Sequence, residues 1–196
     1  MLENLLKDKK VVLASESPRR RDIFKMVGIN ALQMPANIDE VMLDIAPFKM
    51  VQHYAKSKAE VVASHLDKNC VVVGSDTVVF HDGVILAKPK TKYEATDYLT
   101  RLSGDKHTVY TGVAISYKGN LITFYEKSVV EFDTLADSDI IEYIESGDCF
   151  DKAGAYGIQG ISSQFIKKIN GCYYNVMGFP INRFYKELKK LIVKVG

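Results

Sequence analysis

The chain has 196 residues, 47% of them hydrophobic and 26% charged, with Lys and Arg (26) nearly balancing Asp and Glu (24) for a formal net charge of +2. That length fits one large domain, or one domain of two lobes, better than two independent units. The charge balance excludes the general basic footprint of a nucleic-acid or anionic-membrane binder, so any phosphate recognition must come from local placement of cations.

Residues 11–14 form a short apolar run suited to a buried strand, stopped by Ser15-Glu16-Ser17-Pro18. Ser17 caps the next helix, with Pro18 at its first position, where the missing N–H costs nothing. Ile23, Phe24, Met26 and Val27 make its inner side and Gly28 ends it. Arg19 and Arg20 therefore fall in the first turn, where they oppose the helix dipole, a conflict that an anionic ligand at that end resolves. A second apolar stretch at 31–36 leads into the acidic Ile38-Asp39-Glu40 segment. Residues 47–66 carry apolar side chains at helical spacing: Met50, Val51, Tyr54, Ala55, Ala59 and Val62, with Lys58 on the same face.

Residues 70–73 are the most strongly β-like run, followed by Gly74-Ser75-Asp76-Thr77, a second run at 78–80, a turn at His81-Asp82-Gly83 and a return at 84–87. Lys88-Pro89 opens a loop, residues 93–102 read as a helix, and 107–117 and 121–132 as long paired strands turned by Lys118-Gly119-Asn120. A short helix at 137–146 stops at Gly147. A glycine-rich segment at 154–160 precedes a strand at Phe165-Ile166, and Pro180 starts a last amphipathic helix reaching about Val195. The fold class is α/β with a mixed sheet, since hairpins rule out a purely parallel doubly wound one. Three scattered cysteines without a C-x-x-C pair give neither a disulfide framework nor a zinc site. Charges throughout residues 1–10 argue against a signal peptide, and no apolar run suits a spanning helix, so a soluble, cytoplasmic protein is expected.

Several side chains have chemistry suited to phosphate. Ser15, Ser17, Arg19 and Arg20 offer hydroxyls, free helix-start N–H groups and guanidiniums, though alone they read as a capped surface helix with exposed arginines. Asp76, after a strand, suits a cation or an attacking water, and Glu40 is a candidate second oxygen ligand; alone, each reads as a turn or loop carboxylate. Lys58 either points inward or snorkels, and Lys88 marks a strand exit. Gln159, between glycines, has the donor and acceptor to read a base edge, or is a loop glutamine. Histidines show no metal spacing, and no Gly-x-Ser-x-Gly elbow or activated cysteine supports covalent catalysis.

In their order along the chain these segments are similar to the Maf family of nucleotide pyrophosphatases. They are Leu13-Ala14-Ser15-Glu16-Ser17-Pro18-Arg19-Arg20, Ile38-Asp39-Glu40, Ala55-Lys56-Ser57-Lys58-Ala59, Gly74-Ser75-Asp76-Thr77, Lys88-Pro89, Leu102-Ser103-Gly104 with His107 and Thr111-Gly112, the run from Asp151 through Gln159 to Gly160, and the run from Tyr174 through Gly178 to Pro180. The resemblance spans nearly the whole chain. It implies an inosine-triphosphate-pyrophosphatase-like fold, a mixed elongated sheet with flanking helices and two lobes around a cleft. It also implies hydrolysis of a nucleoside triphosphate to the monophosphate and pyrophosphate with Mg2+ or Mn2+. By position, Asp76 matches the proton acceptor, and Arg20, Glu40, Lys58 and Lys88 the other active-site charges; Glu40 and Asp76, with phosphate oxygens, are the expected metal ligands. Arg19, Thr77 and Gln159 resemble the branch that accepts dTTP and UTP, whereas 7-methyl-GTP branches resemble Ser-Pro-Trp-Arg. Ala87 and Phe179 stand where the family usually has glycine and leucine. The resemblance is compatible with a homodimer, and family members also carry a historical label as septation regulators; neither nucleic acid nor membrane is an expected partner.

Overall fold

The computed structural model describes residues 1–196. In chain order the elements are α1 (Leu2–Leu6), β1 (Val11–Leu13), α2 (Pro18–Met26), β2 (Leu32–Gln33), α3 (Pro47–Ala63), β3 (Val71–His81) and β4 (Val84–Leu86). They continue as α4 (Lys92–Leu102), β5 (Lys106–Tyr117), β6 (Asn120–Phe132), α5 (Asp137–Glu145), two 3-10 turns (Ala153–Ala155 and Ile161–Phe165), β7 (Ile166–Asn170), α6 (Tyr173–Val176) and α7 (Ile181–Val195). Seven strands form one mixed sheet in the order β2-β1-β3-β5-β6-β7, with β4 paired to β3. β1 runs parallel to β2 and β3, while β4 and β7 run antiparallel to β3 and β6. No helix is long and apolar enough to cross a membrane.

The chain forms two compact units. The first comprises Met1–Asp76, Thr111–Glu126 and Gly178–Gly196; the second comprises Thr77–Tyr110 and Lys127–Met177. In the first unit, α7 buries Ile181, Phe184, Leu188 and Leu191, a spacing of three and four that lines one helical stripe. Phe184 packs with Phe24 of α2 at 5.5 Å and Phe179 at 5.1 Å between ring centroids. The second unit's core joins Val79, Leu99, Leu102, Val130, Phe132 and Tyr143, drawn from β3, α4, β6 and α5.

Most expected elements are present, and the largest departure concerns residues 74–77. They do not interrupt a strand: β3 runs unbroken through them, so Asp76 lies inside the strand rather than at its end. Gly74 is there for packing. A Cβ on it would lie 2.1 Å from the Ala55 carbonyl oxygen and 2.8 Å from the Ala59 nitrogen of α3. Gly112 in β5 meets the same helix, its Cβ falling 2.2 Å from the Val51 carbonyl oxygen. Glycine in a strand interior marks this kind of close backbone approach as readily as a turn. Two further corrections are local. Met26 is exposed at 56%, leaving Ile23 and Phe24 as the buried face of α2. The apolar stretch at 31–36 contributes only the two residues of β2, and the short helices α1 and α6 have no counterpart in the sequence expectations.

Candidate active site

The first unit gathers seven of the expected side chains. β1 and β3 are parallel with Leu13 opposite Val73, so the chain leaves β1 beside the middle of β3. There Ser17 caps α2, its hydroxyl accepting from the Arg20 N–H at 3.4 Å, with Pro18 at the first helical position as expected. Ser15 is buried, and its Oγ accepts from the Ser17 N–H and from Arg20 Nη1, both at 3.1 Å. Gln33 of β2 stiffens this turn from outside, donating Nε2 to the Ser15 carbonyl at 3.1 Å and to the Ser17 carbonyl at 3.5 Å.

Arg20 is anchored, with Nε donating to the Gly178 carbonyl at 2.9 Å. Ser75 Oγ donates to the same carbonyl at 3.4 Å, so the residue preceding Phe179-Pro180 joins β3 to the start of α2. Burial lowers the Arg20 pKa, opposed mainly by the negative charge of Asp76. Arg19 lowers it further and Glu40 raises it, so Arg20 lies in the electrostatic field of both carboxylates.

Lys58 settles between its two expected roles: it points inward. Its Nζ lies 2.8 Å from Asp76 Oδ1 and 2.5 Å from Glu40 Oε1, with only 12% of the side chain exposed. The position is dictated by α3, whose apolar face of Ala55, Ala59 and Val62 is buried and carries Lys58 with it. Asp76 is buried, and burial raises its pKa above the ordinary aspartate value. Lys58 pulls it down, both by charge and by hydrogen bonding; Glu40 pushes it up and Arg20 pulls it down. A carboxylate so placed is a stronger base than one in water while remaining paired with a cation. Glu40 lies in an irregular segment and its side chain is 47% exposed, so one ligand of Lys58 is sunk and the other faces solvent.

The remaining three expected residues lie in the second unit. Thr77 follows Asp76 in β3 and is half-buried. Lys88 is exposed just beyond β4, next to Ala87, whose carbonyl accepts from the Gly154 N–H at 3.0 Å. Gln159 is exposed between the two 3-10 turns, in a loop pinned by Ser162, whose Oγ accepts from the Gly157 N–H at 2.9 Å and donates to the Gly157 carbonyl at 3.0 Å. Sequence reasoning did not single out Ser75, Gln33 or Tyr54. Ser75 and the Gly178 carbonyl lay within quoted motifs, but nothing in the sequence marks Gln33.

The chain is similar to known proteins over most of its length. A 44% identical relative from Caldicellulosiruptor saccharolyticus, covering 93% of this chain and 95% of its own, is named dTTP/UTP pyrophosphatase. Relatives with the same name from Geobacillus sp. (42% identical; 93% of this chain, 98% of theirs) and Clostridium perfringens strain SM101 (40%; 95% and 99%) match equally completely. The family model described as Maf-like protein matches residues 10–191. The chain belongs to the Maf-like family.

Proposed function

We propose that the chain is an enzyme, a hydrolase that cleaves nucleoside triphosphates, dTTP and UTP foremost, to the monophosphate and pyrophosphate. The observation that carries this reading is the buried Asp76, clasped with Glu40 by Lys58 beside the Ser17-capped start of α2. The names of the relatives supply the substrate class.

Each residue then has a role. The first-turn N–H groups of α2, with Arg19 and Arg20, favour phosphate oxygens, and Lys58 offsets their negative charge. Asp76 orients the attacking water and takes its proton as the water oxygen bonds to the α-phosphorus and pyrophosphate departs. Its raised pKa suits that task better than an ordinary aspartate's would. Phosphoryl transfer asks mainly for such positioning and charge stabilisation. Thr77, Lys88 and Gln159 enter through the family pattern: Lys88 as a further cation for the triphosphate, Thr77 and Gln159 as readers of the O4 and N3–H edge shared by uracil and thymine.

A divalent cation fits the donor set. Glu40 and Asp76 already converge on one ammonium, so their oxygens are near enough to share a small cation. Magnesium or manganese needs only one or two carboxylates besides phosphate oxygens and water, and the set offers no nitrogen or sulfur for zinc. When bound, such an ion would neutralise charge on the phosphates and lower the pKa of a coordinated water.

The test is pyrophosphate release across dTTP, UTP, CTP and GTP with Mg2+. The proposal expects dTTP and UTP to lead, and Asp76→Asn to lose more than about a thousandfold in rate while its circular dichroism is unchanged. Substantial turnover by Asp76→Asn would remove Asp76 from the chemistry, and equal rates on all four nucleotides would remove Gln159 from base selection.

A further inference from the structure

The Glu40 carboxylate can act only if an irregular segment holds it in register with a buried lysine. Residues 34–46 contain no helix or strand, and Asn37 bends them with a φ of 45°. Their apolar side chains give little purchase, since Val41 is 62% and Met42 60% exposed. Ala36 packs against the cluster of Val12, Val62 and Val72 near one end. Between Ala36 and the start of α3, two polar contacts fasten the segment to its unit, and both come from α3. One is the Lys58–Glu40 ion pair. The other is a hydrogen bond from the Tyr54 hydroxyl to the Val41 carbonyl, the carbonyl of the residue that follows Glu40.

Tyr54 and Lys58 are four residues apart on one helix and so occupy the same face, one turn from each other. Their tips hold consecutive residues, Val41 by its backbone and Glu40 by its side chain. Tyr54 is 5% exposed, so its ring fills core space that a leucine or phenylalanine would fill equally well. Its hydroxyl does something those residues cannot, tying down the backbone one residue beyond Glu40. A backbone tie is what an exposed carboxylate on a loop needs, because an ion pair alone leaves the loop free to pivot about the lysine.

We infer that Tyr54 is a positioning residue: through the Val41 carbonyl it sets where the Glu40 carboxylate stands relative to Lys58 and Asp76. The inference rests on the pyrophosphatase reading for its kinetic consequence, but its structural content stands without it.

The test uses Tyr54→Phe, which keeps the ring and removes only the donor, alone and combined with Glu40→Gln. Pyrophosphate release from dTTP and hydrogen exchange of the backbone amides at 36–44 are measured together. In Tyr54→Phe, kcat falls about tenfold, as expected for a ligand displaced by a fraction of an ångström, while KM for dTTP stays within about twofold. Exchange at 36–44 quickens by about fivefold and stays unchanged in β1 and β3. On the Glu40→Gln background, Tyr54→Phe lowers kcat no further, because it acts through Glu40. A wild-type exchange rate and kcat in Tyr54→Phe would overturn the inference, as would a loss that persists undiminished beside Glu40→Gln. Absence of pyrophosphate release from the wild-type protein would sink the proposed reaction instead, leaving the exchange rates to decide whether Tyr54 holds the segment.

Discussion

Each unit contains a lysine clasped by two carboxylates, and the two clasps are built in opposite ways. Lys58, 12% exposed, joins Glu40 and Asp76, which come from an irregular segment and a central strand far apart in sequence. Lys152, 8% exposed, joins Asp148 Oδ1 at 2.8 Å and Asp151 Oδ1 at 2.7 Å, both within one short stretch of chain. Its Nζ also donates to the Asp148 carbonyl at 2.5 Å. Its stem lies beneath the loop that leads to Gln159, for a Cβ on Gly157 would stand 2.9 Å from Lys152 Cε.

The ammonium chemistry is the same, so the difference lies in the carboxylates. In the second unit Asp151 is 57% and Asp148 36% exposed on their side chains. In the first unit Asp76 is only 10% exposed and its pKa is driven up by burial. A local clasp pins a loop. A long-range one, closed over a buried acid, would keep that acid charged and aimed for the proposed reaction. Clasps of equal geometry therefore need not have equal purpose, and burial of the acid is what separates them.

This contrast can be broken by parallel substitution. Lys58→Met should reduce pyrophosphate release about a hundredfold, the loss typical of removing one preorganised charge from a phosphoryl-transfer site, with the fold intact by circular dichroism. Lys152→Met should do the reverse. It costs about 2 kcal/mol in urea unfolding, below the usual figure for breaking a buried pair because its aspartates are half-exposed. Its kcat stays within about twofold. If Lys152→Met abolished turnover while preserving stability, the two clasps would not differ as argued.

The second unit also buries a neutral polar pair, and pH distinguishes it from the charged site. His107 Nε2 and the Tyr156 hydroxyl are 2.6 Å apart in the core. Burial drives the His107 pKa down to about 3. Its folded pKa is thus depressed, so the stability it contributes is complete above the unfolded value near 6.5 and is lost as pH falls from there toward 3. Between pH 7 and pH 5.5, the wild-type protein should lose about 1 kcal/mol more in urea unfolding than His107→Gln. Equal pH slopes would mean that His107 protonates in the folded state.

The smallest effect is a shift in titration. In the metal-free protein, the carboxyl carbon resonance of Asp76 should titrate above the ordinary aspartate value. Removing the Lys58 charge by Lys58→Met moves it further up, and removing the Glu40 charge by Glu40→Gln moves it down. Movement in the other direction in either variant would show that the pair does not govern Asp76.

Much of this is legible in the sequence. Ser17 as cap, Pro18 at the first helical position, the Asp82-Gly83 turn and the apolar stripe of α7 follow from local chemistry, and the structure repeats them. Ordered motifs also placed Asp76, Glu40, Lys58, Ser15, Ser17, Arg19 and Arg20 on one list, and the first unit contains all of them. What misled was Gly74. A glycine followed by Ser-Asp-Thr has the composition of a turn, and only the approach of α3 reveals it as a contact inside a continuous strand.

The sequence by itself determined most of the elements, the family and the identity of the charged groups, because caps, periodicity and motif order depend on neighbours a few residues apart. The tertiary structure alone decided that Lys58 turns inward to two carboxylates, that Asp76 is buried enough for its acidity to shift, and that Tyr54 reaches the backbone one residue beyond Glu40. Those properties depend on desolvation and on distances between residues remote along the chain, and these exist only once the helix has settled onto the glycines of the sheet.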